Sequence, residues 1–210
     1  MARLFGPARL SALAFFCAMS VGALRAEPTF PAMPGRVIAY HPAPTAADIA
    51  NRKDVYLSSP ALAVLPDGSY VAAHDFFGNG SGAAVSARTH VYRSQDRGES
   101  WMLLAELCDI GRASLFVAQG NLFLLGYRHE GGDIVIRRSM DAGATWSEAI
   151  DENAGVLRRG VYSGAPSMPV VHEGKIWIGQ GTTGVLSAPV DGDLLAAETW
   201  TLSNKIASSP

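Results

Sequence analysis

Two copies of one eight-residue pattern constrain this chain more than anything else in it. Residues 94–101 read Ser94-Gln95-Asp96-Arg97-Gly98-Glu99-Ser100-Trp101, and residues 139–146 read Ser139-Met140-Asp141-Ala142-Gly143-Ala144-Thr145-Trp146. Both fit S-x-D-x-G-x-[ST]-W, and Asp141 follows Asp96 by 45 residues. A turn that recurs at fixed spacing marks a repeat architecture, built from supersecondary units that bury their apolar faces on one another. Each box follows a strand-like run: Thr89-His90-Val91-Tyr92-Arg93 before the first, Ile134-Val135-Ile136-Arg137-Arg138 before the second. In such a turn Asp accepts hydrogen bonds from nearby backbone N–H groups. Gly supplies the positive φ of a tight reversal, and Trp opens the returning strand and buries a large apolar surface. Asp96, Gly98, Trp101, Asp141, Gly143 and Trp146 are therefore expected to be structural. The D-x-D-x-D-G spacing of a calcium loop is missing, and no metal site is expected.

A larger unit surrounds the boxes: an apolar strand, a turn with Gly, and a second apolar strand. Its copies are Pro60–Leu65 with Ser69–Ala73, Ser114–Ala118 with Leu122–Gly126, and Met168–Val171 with Lys175–Gly179. The turn glycines stand at 68, 120 and 174, spacings of 52 and 54. That fits a four-stranded unit of about 50 residues. The strands are near-continuous apolar runs, as expected for sheets covered on both faces. No stretch beyond the N-terminus shows a helical period. The third unit lacks a box, and Trp200 is expected to take the packing role of Trp101 and Trp146. The units run over about 54–107, 108–160 and 161–205, after an extended lead-in at 27–53.

Arg3 and Arg9 precede an apolar stretch from Leu10 to Ala23, with small residues after it. This pattern predicts a secretory signal peptide over residues 1–26, shorter in its apolar part than the roughly 20 residues of a membrane span. Removing it takes away three arginines and moves the formal charge from −2 to −5. A mildly acidic chain has no electrostatic reason to seek nucleic acid or an anionic membrane. Only Cys108 then remains, so no internal disulfide can form, and the thiol is expected to be buried. Localisation is expected to be secreted, periplasmic or extracellular.

The repeated box resembles the Asp-box, or bacterial neuraminidase repeat, of the sialidase superfamily. The resemblance implies an all-β fold, a sialidase-like β-propeller of six blades when complete. About three four-stranded blades are present, and the remaining ones are expected from outside these 210 residues. It also implies a carbohydrate-active protein with a glycan as substrate or ligand, exo-α-sialidase-like by similarity, and no cofactor. Enzymes of this kind hold the substrate carboxylate with arginines, the first in an Arg-Ile-Pro motif. Here Ser58-Ser59-Pro60 stands at that place, and the loop Phe76–Arg88, where the acid/base Asp is expected, contains no acid. These two departures argue against authentic sialic-acid hydrolysis. They favour either another glycoside or a non-catalytic glycan- or protein-binding propeller. Uronic-acid chemistry by Arg128 and His129 is a third reading.

Propeller sites lie around the axis, where the inner strands begin and the second-to-third strand loops arrive. Inner-strand starts are expected to carry Tyr56, Ser58 and Ser59; Arg112 and Ser114; and Arg158, Arg159, Tyr162 and Ser163. The loops are expected to carry His74, Asp75, Asn79, Arg88 and His90; Arg128, His129, Glu130 and Asp133; and Gln180, Thr182 and Thr183. His74-Asp75 and Arg128-His129-Glu130 each set an imidazole beside a carboxylate, equipment for general acid–base work or for holding sugar hydroxyls. His74, Asp75, His129 and Glu130 are the candidate catalytic residues. Arg112, Arg128 and Tyr162 are the candidate substrate-binding residues.

Overall fold

The computed structural model describes residues 36–80, 87–129, 131–162, 164, 167–180 and 184–203. The expected signal peptide, with Glu130, Ser163, Thr182 and Thr183, lies outside the described residues. Among the described residues, no helix is long and apolar enough to cross a membrane.

Twelve strands form three four-stranded antiparallel sheets, each a meander in chain order. The first holds β1 (Tyr56–Val64), β2 (Tyr70–Phe77), β3 (Thr89–Ser94) and β4 (Met102–Leu107). The second holds β5 (Gly111–Ala118), β6 (Asn121–Tyr127), β7 (Gly132–Ser139) and β8 (Val156–Tyr162). The third holds β9 (Val170–His172), β10 (Lys175–Gly179), β11 (Val185–Pro189) and β12 (Thr201–Leu202). Strand β5 lies against β1 and β2, so the first two sheets pack through the first strand of the second. This is a partial β-propeller of three blades.

Two cores hold the blades together. Ala63, Val71, Ala73 and Val91 of the first sheet pack on Leu115, Leu122, Leu124 and Val135 of the second. The other face of the second sheet, with Phe123, Leu125, Tyr127 and Ile136, packs on Ile176, Ile178, Leu186 and Trp200 of the third. Only the middle sheet is covered on both faces. Its strand β6 is accordingly buried at every position after the first, whereas β10 alternates exposed and buried. At the β5 irregularity the β5 and β6 backbones come close within the sheet: a Cβ on Gly126 would meet the Gly111 carbonyl oxygen at 2.5 Å.

The two boxes repeat atom for atom. Ser100 N–H and Thr145 N–H donate to Asp96 and Asp141 Oδ1 at 2.9 and 2.8 Å. Their hydroxyls donate to Oδ2 at 2.5 and 2.6 Å. Ser94 and Ser139 hydroxyls accept from Gly98 and Gly143 N–H and donate to the same carboxylates. Trp101 and Trp146 Nε1 donate to the Gly98 and Gly143 carbonyls at 3.1 and 2.9 Å. The positive φ extends to the preceding residue: Arg97 and Gly98 have φ of 61° and 95°, Ala142 and Gly143 of 62° and 99°. Trp200 keeps the role without a box, 2% exposed, its Nε1 donating to the Leu194 carbonyl at 2.9 Å.

Four expectations are corrected. A five-residue helix α1 (Ala46–Ala50) sits in the lead-in. It is too short for a period, but the Thr45 and Asp48 side chains form a reciprocal capping box that satisfies its first N–H groups. Cys108 is exposed, because it falls in the connection after β4 rather than within a strand. Trp146 does not open a strand: residues 147–155 form a loop whose Gly155 N–H and Glu152 carbonyl bond to Leu195 and Ala197 in the connection between β11 and β12. That loop delays the fourth strand, so Arg158, Arg159 and Tyr162 belong to β8 and not to the start of the third blade.

The carboxylates of both boxes are held low, Asp96 at about 2, chiefly by the Ser100 hydroxyl and then its N–H. Asp141 is lowered first by the Thr145 hydroxyl. A depressed folded value contributes stability that is present above the ordinary 3.8 and lost as pH falls through the folded value. Asp141→Ala is expected to lower stability by about 1–3 kcal/mol at neutral pH, the cost of orphaned turn donors. The gap should narrow as pH falls below 3.8. Urea unfolding at several pH values checks both, and equal stability of the two proteins at neutral pH would refute the structural role.

Candidate functional site

The starts of the inner strands share a local distortion. Pairing of β1 with β2 slips between Ser58 and Ala61, and pairing of β5 with β6 slips between Gly111 and Ser114. At the two slips Ser59 and Arg112 adopt φ of 48° and 47°. Non-glycine residues seldom occupy this left-handed region, and such bulges re-aim side chains at strand ends. These equivalent positions fall where the sequence placed the site.

Asp75 binds the two blades together there. It pairs with Ser58 across β1 and β2 and is 1% exposed. Its Oδ2 accepts the Arg112 N–H. Its Oδ1 has no partner of hydrogen-bond geometry among the described residues. Burial pushes the carboxyl above its ordinary 3.8, and the Arg112 N–H, the Ser59 and Ser58 hydroxyls and the Arg112 charge only partly oppose this. The Ser58 and Ser59 hydroxyls lie 3.2 Å apart. Arg112 reaches on toward the third blade, its Nη1 donating to the Gly164 carbonyl at 3.5 Å. Ser114 Oγ donates to the Ser167 carbonyl at 2.7 Å. A polar seam thus runs across the starts of all three blades.

His74 does not join Asp75. Side chains alternate along a strand, so the two point to opposite faces of β2. The His74 ring lies on the free face of the first sheet, 8% exposed. Its Nε2 is 3.2 Å from Tyr92 Oη, and its Nδ1 is 3.1 Å from the Asp75 carbonyl. His90 Nδ1 approaches the same Tyr92 hydroxyl at 3.4 Å, and its Nε2 lies 3.7 Å from Glu106. Burial lowers the His90 pKa and raises that of Tyr92. A cleft of about 520 Å³ runs from Ser58 and Met168 past Leu62 and Ala72 to His74 and Tyr92. Tyr92 escaped the sequence reading, although alternation in His90-Val91-Tyr92 places it on the His90 face.

The second cluster also divides. Arg128 Nη2 donates to the Ala149 carbonyl at 2.9 Å, and its Nε lies 3.8 Å from Asp133. His129 is exposed in the tight turn before β7, its carbonyl accepting the Gly132 N–H. Tyr162 ends β8 paired with Gly132 and packs on the core between the second and third blades. Arg158 bonds to the Ala197 and Trp200 carbonyls of the third blade, and Arg159 to Glu152 at 2.5 Å. Of the sequence-predicted residues, Asp75 and Arg112 come together. His74, Arg128, His129 and Tyr162 stand apart from them.

No protein-family model matches the sequence, and no curated protein matches it. Solved structures do resemble it. A GH43 β-1,3-galactosidase aligns with a TM-score of 0.51 at 17% identity, over 72% of this chain and 32% of its own. An α-L-arabinanase from Penicillium chrysogenum, complexed with arabinobiose, aligns at 0.49 and 19% identity, over 73% and 50%. A Trypanosoma rangeli sialidase with sialic acid aligns at 0.45 and 18%, over 61% and 22%. The chain spans half or less of the length of each of these three. The likeness to the galactosidase supports the propeller fold.

The raised Asp75 pKa has a signed consequence. A carboxyl whose folded value exceeds its unfolded one contributes stability that is complete below the unfolded pKa and lost as pH rises through the folded value. Asp75→Asn cannot ionise, so the variant should gain stability relative to the parent as pH rises from 3.8 to neutrality. Unfolding midpoints of both proteins across that range test this. A gap that does not change with pH would show that burial does not govern the carboxyl.

Proposed function

We propose that this chain is part of an exported, carbohydrate-directed β-propeller that holds a sugar at the axial end of its inner strands. The observation that carries this is the Asp75–Arg112 pair. It sets a buried carboxyl with a raised pKa against the Arg112 backbone N–H between two bulged inner strands, while the Arg112 guanidinium reaches toward the third blade. Carboxyl, guanidinium and serine hydroxyls are the groups that bind sugar hydroxyls and ring substituents. The similar galactosidase, arabinanase and sialidase are all named for acting on sugars. In the hydrolytic form of the proposal, the Asp75 carboxyl, whose proton burial helps to retain, serves as proton donor to a departing glycosidic oxygen. Glu130 and His129 remain the sequence candidates for a second group.

A non-catalytic, glycan-binding propeller is the second reading, and two observations favour it. Glycoside hydrolysis ordinarily needs two carboxyl groups flanking the bond, and Asp75 accepts a backbone N–H, which fits a positioning role. His74, expected as its partner, is on the other face of the sheet.

Calorimetry against a panel of methyl glycosides, with release of nitrophenol from aryl glycosides, separates these readings. Arg112→Ala should weaken glycan binding at least tenfold while the melting temperature changes little. If the protein is a hydrolase, Asp75→Asn should abolish turnover and leave binding. Binding without turnover selects the lectin-like reading. The proposal fails if the parent protein binds no member of the panel.

A further inference from the structure

Two buried polar side chains toward the ends of second strands have unused hydrogen-bonding capacity among the described residues. One is Asp75 within β2, whose Oδ1 is unpartnered on the side of the first blade. The other is Gln180, which directly follows β10 and is 1% exposed. Neither its Oε1 nor its Nε2 has a hydrogen-bond partner among the described residues.

The placement of Gln180 follows from its strand. Ile176 and Ile178 face the middle blade, and the period of two turns Gln180 the same way. The backbone beside it is fixed at the axial end. Gly179 N–H donates to Ser167 Oγ at 2.8 Å, and Ser167 N–H donates to the Gly179 carbonyl at 3.3 Å. Ser114 of β5 donates to the Ser167 carbonyl. Gln180 therefore approaches the start of β5 from the third blade, as Asp75 does from the first.

A buried amide with both atoms unpaired is costly, and an apolar side chain of its shape would suit the protein alone better. Both amide atoms of Gln180 are available to hydrogen-bond a bound ligand. A carboxamide offers an acceptor and donors side by side, which complements adjacent sugar hydroxyls, one donating and one accepting. A sugar carboxylate presents acceptors alone and would leave the Gln180 Oε1 without a donor. We propose that Gln180 recognises vicinal hydroxyls of a neutral sugar held at the start of β5. This deepens the functional reading given above and rests on it.

The test uses the full chain, calorimetry and thermal melting. The probes are methyl glycosides of galactose, glucose, mannose and arabinose, beside N-acetylneuraminic and glucuronic acids. The parent protein should bind a neutral glycoside in preference to either acid. Gln180→Met should lose at least tenfold in that affinity with a melting temperature equal to or above the parent's. Gln180→Glu, which keeps the shape and loses the donors, should also weaken binding. Unchanged affinity in Gln180→Met overturns the inference and leaves the functional reading standing. So does preference for the acids. A lowered melting temperature in Gln180→Met shows a structural amide and overturns it as well. If the parent binds nothing in the panel, the functional reading itself fails and takes this inference with it.

Discussion

A sheet has two faces, and apolar strands demand cover on both. That demand organises this molecule. The middle blade receives cover from each neighbour, and its strand β6 is buried almost throughout. The outer blades receive it on one side. On the far side of the first blade Leu62 and Val64 stay exposed, and on that of the third Val170, Trp177 and Val185 do. Where the first two sheets come together at the ends of these faces, the bulged starts of β1 and β5 lie side by side, joined by Asp75 and the Arg112 N–H. The candidate site is thus a by-product of how faces are buried.

The boxes serve the same demand at the opposite end of the strands. Each spends a carboxylate, two hydroxyls and an indole N–H on fixing one reversal, which sets the third strand in register. The box of the second blade also leans on the first: a Cβ on Gly143 would lie within 3.6 Å of Val91, Leu104 and Val71. The third blade fixes its outer strand with Trp200 and with Arg158 reaching across from β8. Aromatic burial with one directed N–H bond is the constant, and the Asp is one way of supporting it.

The sequence made the architecture readable because the boxes and turn glycines act locally, within a few residues of chain. It was less informative wherever side-chain direction or loop length decided the outcome. His74 and Asp75 are adjacent in the chain and were read as a pair, yet strand alternation separates them by the thickness of a sheet. Tyr162 was assigned to the wrong blade because the inserted loop at 147–155 carries no periodic signal. The left-handed backbone at Ser59 and Arg112 has no sequence mark at all, since neither residue is glycine. Asp75 with Arg112 was legible as two candidates, and their meeting depends on the packing of one blade against another.

That meeting has a thermodynamic consequence. The Arg112 backbone donates to a carboxyl that belongs to the preceding blade, so the two blades share one protonation equilibrium. A molecule that settles against Arg112 alters the field at Asp75, and the proton affinity of Asp75 alters the hold on that molecule by the same factor. Binding that favours the neutral carboxyl must take up protons from solution, and its affinity must strengthen as the medium turns acid. The joint between two blades would then act as a meter of external pH.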